Sequence, residues 1–388
     1  MYDEVHVVFD RYDVPKSLKG NTRQMRLLGT TPVAYNISDN MNINRLPMKK
    51  LLSHTSTKQK LARYLAQKLL KRAEEDGKKY VVAWDNLCLS SHNIPVEHLQ
   101  SEQEEADTKL VLHAVHASKT ASGVDIFTPD TDVLVLSIRR YKDLCENTNI
   151  VTGSAEKFRN IPLQPIFEAL GPTLSAALPG FHCFTGSDTT GTFSGKGKAS
   201  CWKLFCNASE DIISAFSNLG NGLLPSEEVL TGLEKFVCQL YISGTKLEKV
   251  QHARWLLFKM KQAEAESLSP TWHTLHEAIL RAHYQCMIWQ NDIVANPKLP
   301  SPEGYGWTED ELQWKPVMTK QQPAPSAIVH LVKCSCNKSK CSNMQCGCKK
   351  SGLNCTDLCS CSELEDACEN AKMSVVEHDE NEVDDTEF

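Results

Sequence analysis

Nowhere in the 388 residues does an apolar run approach about 18 positions, the length at which a membrane-spanning helix comes into view, so a membrane span is excluded. The opening stretch MYDEVHVVFD has neither the basic flank nor the apolar segment of a secretory signal. No internal similarity recurs at a solenoid period, which removes the repeat architectures. A large excess of one charge is also missing: 42 Lys and Arg stand against 48 Asp and Glu, a net of −6. With 41% hydrophobic and 23% charged residues, the chain is neither disordered as a whole nor fibrous. Its length permits two or three domains with a sizeable core.

What it has in quantity is cysteine, placed unevenly. Of 16 cysteines, Cys88, Cys145, Cys183, Cys201, Cys206, Cys238 and Cys286 are scattered, and the other nine lie between Cys334 and Cys368. A dense local cluster in a chain without an export signal reads as metal binding rather than as a disulfide framework. The scattered seven read as small buried apolar residues. Charge is uneven too. From Glu363 to Phe388 eleven acids face one lysine, a net of −10 that leaves +4 for residues 1–362. Residues 371–388 are expected to form a solvated acidic tail. The remaining body is mildly basic, which permits a nucleic-acid partner.

Short β-branched runs at 5–10, 80–84, 124–130 and 149–154 alternate with helical patterns at 57–75 and 104–118, which predicts an α/β fold with a mostly parallel sheet flanked by helices. Beyond about residue 160 helix-period segments take over, at 161–170, 210–219, 225–242, 252–266 and 271–292. Residues 206–292 therefore read as a helical extension, and their apolar stripes as core packing. Prolines at 297, 300, 302, 316, 323 and 325 predict a linker over 293–328, ahead of a small zinc-stabilised module over 329–370.

The cluster reads Cys334-x-Cys336-x4-Cys341-x4-Cys346-x-Cys348-x6-Cys355-x3-Cys359-x-Cys361-x6-Cys368. Thiolates bind zinc tetrahedrally, and that binding can supply the folding energy of a segment with little core. Nine sulfurs do not divide into four-cysteine sites. Three Zn²⁺ with three bridging thiolates would account for them. CSCNKSKCSNMQCGCKKSGLNCTDLCSC resembles the CXC (tesmin/TSO1-like) module, a small trizinc domain that binds DNA through the minor groove. The resemblance places Gln345 where that family has its DNA-inserting tyrosine. Lys333, Lys338, Lys340, Lys349 and Lys350 offer phosphate contacts, and a zinc knob for protein contacts is the other use of such a module.

Acids gather where strands end: Asp10 closes VHVVFD, and Asp130 and Asp132 close VDIFTPDTD. The carboxyl ends of parallel strands form a ligand-binding edge. Carboxylates clustered there suit Mg²⁺ or Mn²⁺, and a pair of such ions can clamp the oxygens of a phosphodiester displacement. Glu105 and Asp107 open the helix at EEADT. Each acid also has an ordinary reading, as a helix cap or a complement to a helix dipole.

The order of segments, from FD through a basic stretch to E-A-D, T-x-D-x-D and TGSDTTGTFSGKGKA, resembles the flap-endonuclease branch of the PIN-like nuclease superfamily. Over residues 1–205 the resemblance implies a core that hydrolyses DNA with two Mg²⁺ or Mn²⁺, held by Asp10, Glu105, Asp107, Asp130, Asp132 and Asp188. It implies a DNA-gripping turn at Gly195, Lys196, Gly197 and Lys198, with Lys203 on the following helix, and a strand-threading arch over the ten Lys and Arg between 49 and 79. It also implies a further metal-binding aspartate on a strand preceding Val5, so that an N-terminally truncated core is expected here. The combined expectation is a structure-specific DNA nuclease with a zinc DNA-binding module, acting in the nucleus and of a type that travels with mobile elements. The alternative is a catalytically inactive DNA-binding scaffold that keeps the nuclease fold. No membrane partner or small-molecule cofactor beyond metals is expected.

Overall fold

The computed structural model describes residues 2–14, 16–154, 157–260, 267–311, 313–320, 334–336, 340–355, 359, 361 and 368–370. The chain divides into two compact units, Met1–Thr319 and Lys320–Phe388. The tail expected over 371–388, Lys333 and Lys338 lie outside the described residues.

In the first unit, β1 (Val5–Val8) runs parallel to β2 (Tyr80–Trp84), and β2 pairs antiparallel with β3 (Leu87–Ser90). A second sheet repeats the pattern: β4 (Gly123–Phe127) is parallel to β5 (Asn147–Ser154), which pairs antiparallel with β6 (Lys157–Pro162). The mixed α/β class matches the expectation, but one mostly parallel sheet does not. Among the described residues β1 and β4 are edges of separate three-stranded sheets. The unforeseen strands explain the difference, since β3 and β6 are short returns after tight connections and cap each parallel pair with an antiparallel one.

Between Asp10 and Glu105 lie α1 (Gly20–Arg26), α2 (Met48–Leu51) and α3 (Thr55–Glu75). Ala62, Ala66, Leu70 and Ala73 recur at helical spacing on α3 and are buried, and this stripe seats the helix on β2. The basic residues occupy its other face, where Arg63 pairs with Asp85 and Lys68 with Asp39. The expected arch is thus a docked amphipathic helix. α4 (Ala106–Ala117) packs against both β1 and β4, and so ties the two sheets together.

The core runs from α5 (Thr131–Arg139) through α6 (Leu163–Phe184, broken at Gly171), α7 (Lys198–Phe205), α8 (Glu210–Asn218), α9 (Glu227–Tyr241) and α10 (Val250–Lys259) to α11 (Trp272–Gln290). Phe181, Phe184, Phe205, Phe216 and Phe236 meet edge-to-face or stacked, with ring centroids 4.5–6.3 Å apart. The helices expected over 206–292 therefore share one core with α5 and α6.

Residues 307–316 form a hairpin, β7 (Trp307–Asp310) and β8 (Gln313–Pro316). This corrects the linker read from the prolines of 293–328. Trp307 and Trp314 bury against Tyr284, Met287 and Tyr305, and Arg281 on α11 donates to the carbonyls of Gly306 and Val317. Pro297, Pro300 and Pro302 lie on the approach to the hairpin and Pro316 ends β8, while Pro323 and Pro325 lie outside the described residues.

α6 and α8 approach closely because position 180 carries no side chain: a Cβ on Gly180 would sit 2.2 Å from the Phe216 carbonyl oxygen. Gly180→Ala should destabilise the protein by about 1–3 kcal/mol in denaturant unfolding, the usual cost of overpacking, and an unchanged midpoint would contradict this packing.

Candidate functional site

The acids predicted from sequence come together from the end of β1, the start of α4, the start of α5 and the loop after α6. Asp130 caps α5, its Oδ1 accepting from the Asp132 backbone N–H at 2.9 Å. Asp130 could serve a metal as well as the cap, because a carboxylate oxygen of Asp107, of Asp130 and of Asp132 lie within 4.8 Å of one another. Asp107 comes from the first turn of α4, and Glu105 is the residue that precedes this helix.

Asp10 plays a supporting part. Its Oδ1 accepts from the Ala106 N–H at 2.8 Å, and its Oδ2 accepts from the Tyr12 hydroxyl at 3.1 Å. It thereby pins the start of α4 to the end of β1, and it is outside the three-aspartate group. Asp188 joins the site through a cation. The Lys19 Nζ lies 3.3 Å from Glu105, 3.8 Å from Asp107 and 3.4 Å from Asp188.

Lys19 and His182 are the site residues that the motifs missed. Lys19 sits just ahead of α1, in a Lys/Arg-rich stretch with no distinctive spacing. His182 lies on α6, and its Nε2 is 2.8 Å from Asp132 Oδ1. No local pattern marks either one; both reach the acids only through tertiary packing.

The electrostatics follow from burial around a shared cation. Burial pushes Glu105 up to about 7, with Lys19 opposing. Burial, and then the charge of Glu105, push Asp107 up to about 8. Asp132 behaves differently: burial opposes its ionisation, but the hydrogen bond and charge of His182 leave it below its ordinary value. Burial alone would lower Lys19, yet the surrounding acids raise it. Lys19 gains because it faces several acids at once, whereas one ammonium divided among them does not offset the desolvation of each.

The donor set consists of carboxylate oxygens, which suits a hard divalent cation such as Mg²⁺ or Mn²⁺ better than a thiophilic one. One oxygen of Glu105 is buried without a hydrogen-bond partner.

Around the Gly195 turn the basic residues are partly committed. Gly195 has φ +67°, a left-handed conformation that glycine adopts freely, while Gly197 is an ordinary cap of α7. Lys198 Nζ donates to the carbonyls of Gly186 at 2.6 Å and His182 at 3.3 Å. It therefore holds the Asp188 loop to α6 rather than standing ready for a phosphate. Lys196 lies over the Tyr241 ring at 5.0 Å, and Lys203 is exposed.

In the second unit, Cys334, Cys341, Cys346, Cys348, Cys355, Cys359 and Cys361 form a buried cluster, with Cys336 and Cys368 packed against it. Sulfur–sulfur distances are 3.6 Å for Cys334–Cys341 and Cys334–Cys361, 3.7 Å for Cys348–Cys359, and 3.8 Å for Cys334–Cys355 and Cys346–Cys355. A disulfide would require about 2.05 Å. The edge of a tetrahedral zinc–thiolate site, with bonds of about 2.3 Å, comes to about 3.8 Å. Cys334 belongs to each of three four-cysteine groups able to hold a metal ion, the position a bridging thiolate would take. Lys340 and Lys350 are exposed nearby, while Lys349 Nζ donates to the Ser342 carbonyl at 2.6 Å. Among the described residues no helix is long and apolar enough to cross a membrane.

No family model matches the chain, and no curated protein or solved structure matches it either.

The raised acids set a pH signature. Glu105 and Asp107 ordinarily titrate near 4 and are raised to about 7 and about 8 in the fold. The folded state thus binds their protons more tightly than the unfolded chain does. With chelator present, that stabilisation is complete below about pH 4 and is lost as pH rises through about 8. Added Mn²⁺ should accordingly raise the melting temperature more at pH 8.5 than at pH 6, as measured by differential scanning fluorimetry. An equal shift at both values would contradict the assignment.

Proposed function

We propose that the first unit is a divalent-metal-dependent phosphodiester hydrolase acting on DNA, in the manner of the flap-endonuclease branch of the PIN-like superfamily. The observation that carries this reading is the convergence of Asp107, Asp130 and Asp132 within 4.8 Å, with Glu105 and Asp188 joined to the site through Lys19. Asp107, Asp130 and Asp132 would hold one Mg²⁺ or Mn²⁺, and Glu105 and Asp188 would contribute to a second position. Such ions supply an activated water and neutralise charge on the scissile phosphate.

The protein's own groups have separable tasks. His182 orients Asp132, and Asp10 fixes the start of α4 and with it Glu105 and Asp107. Lys19 is the cation positioned to neutralise a phosphate oxygen once metals take over its carboxylates. The cysteine unit fits a trizinc, CXC-type DNA-binding module, with Lys340 and Lys350 facing the phosphates. DNA as substrate makes the nucleus the place of action, and the pairing of the two units fits a mobile-element type of protein.

A second reading is favoured by Lys19 itself. An ammonium among buried carboxylates is a built-in counter-ion, as a DNA-binding scaffold without hydrolysis would retain. The two readings separate on a labelled flap substrate with Mn²⁺. The nuclease reading expects cleavage, abolished in the Asp130→Asn/Asp132→Asn variant by at least about a hundredfold. Binding without cleavage in the parent protein would favour the scaffold. For the second unit, native mass spectrometry of the full chain should count three zinc ions, and one or none would overturn the trizinc reading.

A further inference from the structure

Away from the carboxylates, α4 carries a second cluster of ionisable side chains, built of histidine. His113 and His116 stand three residues apart on the helix and share a face. His113 Nδ1 lies 2.8 Å from Nδ1 of His6 on β1, and His116 Nδ1 lies 2.8 Å from Nε2 of His98, which follows β3. The His6 and His116 rings, with centroids 6.1 Å apart, join the two pairs. Glu4 ends the row, its oxygens 2.8 Å from His6 Nε2 and 2.6 Å from His92 Nε2.

Hydrogen counting fixes the charge that this row tolerates. A nitrogen–nitrogen contact of 2.8 Å holds one hydrogen and has no room for two. His6 Nε2 donates to the Glu4 carboxylate, so Nδ1 alone meets His113. If both rings were charged, two N–H groups would oppose each other there. If His113 alone were charged, its Nε2–H would be buried with no acceptor, since that nitrogen has no partner and the residue is 2% exposed. The fold therefore keeps His113 neutral. Burial, followed by the charges of His6, His116, Lys109 and His98, pushes it down to about 3. His116 is lowered by burial and then by His98, His6 and Lys119, with Glu4 opposing. The other elements on α4 bring no compensating acid. Asp125 of β4 is engaged by Tyr2 and Asn149, and on α5 Asp132 is engaged by His182 and Arg139 by the Trp289 carbonyl. Glu97, beside His98 in the chain, is exposed.

β1 is the element least able to resist added protons. It is four residues long, forms an edge of its sheet, and is held by β2 and by α4. We propose that the His6–His113 pair is an acid-opened latch: once both rings are charged their shared hydrogen bond is lost, and β1 parts from α4. The proposal is independent of the hydrolase reading, and Glu105 and Asp107, at the other end of α4, are not part of the latch.

Hydrogen–deuterium exchange of the full chain, with chelator present and rates corrected for the intrinsic effect of pH, tests it peptide by peptide. A histidine held neutral when closed and titrating near its ordinary value of about 6.5 when open favours closure fully above about pH 6.5 and progressively less below it. Between pH 7.5 and 5.5 protection of the β1 peptide should fall about tenfold, while that of α11 stays constant. His113→Asn, whose amide donates or accepts near the same position whatever the charge of His6, should abolish this fall. His6→Asn, on the more exposed strand side, should abolish it too and gives the reading should the His113 variant fail to fold. Equal β1 protection at both pH values in the parent protein would overturn the proposal, as would a tenfold fall that persists in either folded variant. A parallel fall in β1 and α11 would also overturn it, because that reports global unfolding rather than a latch.

Discussion

The first unit is organised around the problem of holding several carboxylates close together away from water. Ionised acids at this spacing repel one another, and burial adds a desolvation cost to each. The protein answers with one ammonium and two hydrogen bonds. Lys19 neutralises Glu105, Asp107 and Asp188 from one side. His182 supports Asp132 from another. Asp10 spends its carboxylate on the first turn of α4 rather than on the group. What charge remains is carried as raised proton affinity at Glu105 and Asp107. A site with this balance could exchange protons and an ammonium for divalent metal.

The scaffold follows from that demand. α4 must lie against both small sheets, since it brings Glu105 and Asp107 to the acids of the β4–α5 connection. α6 has to run close to α8 to deliver His182, which is why position 180 carries no side chain. The phenylalanine core stiffens this arrangement from behind. Beyond the first unit, the second poses a different problem: a short segment with few apolar residues gathers its thiols at 3.6–3.8 Å, where a bound cation could replace the missing core.

Much of the site could be read in the chain, because the acids sit at strand ends and helix starts, where local sequence dictates local geometry. Asp130 and Asp132 belong to a strand–cap–helix transition, and Glu105 and Asp107 to a helix start, each visible within a few residues. The nine cysteines were legible for the same reason. Lys19 and His182 were not, since each acts across the fold on partners whose proximity no spacing encodes. The fold shows the same divide. Helices with apolar stripes such as α3 and α11 were clear, while β3 and β6 were too short to signal, and they turn one expected sheet into two. The hairpin at 307–316 was hidden by the prolines in the sequence around it, although Trp307 and Trp314 bury there as core residues.

The central claim is that the carboxylate group exchanges its ammonium for divalent metal. Crystals soaked in Mn²⁺ and measured for anomalous scattering test it directly. The account predicts anomalous density coordinated by Asp107, Asp130 and Asp132 at about 2.0–2.2 Å, with the Lys19 side chain withdrawn from Glu105 and Asp188. Lys19 still seated among these carboxylates, with no anomalous peak between them at millimolar Mn²⁺, would contradict it.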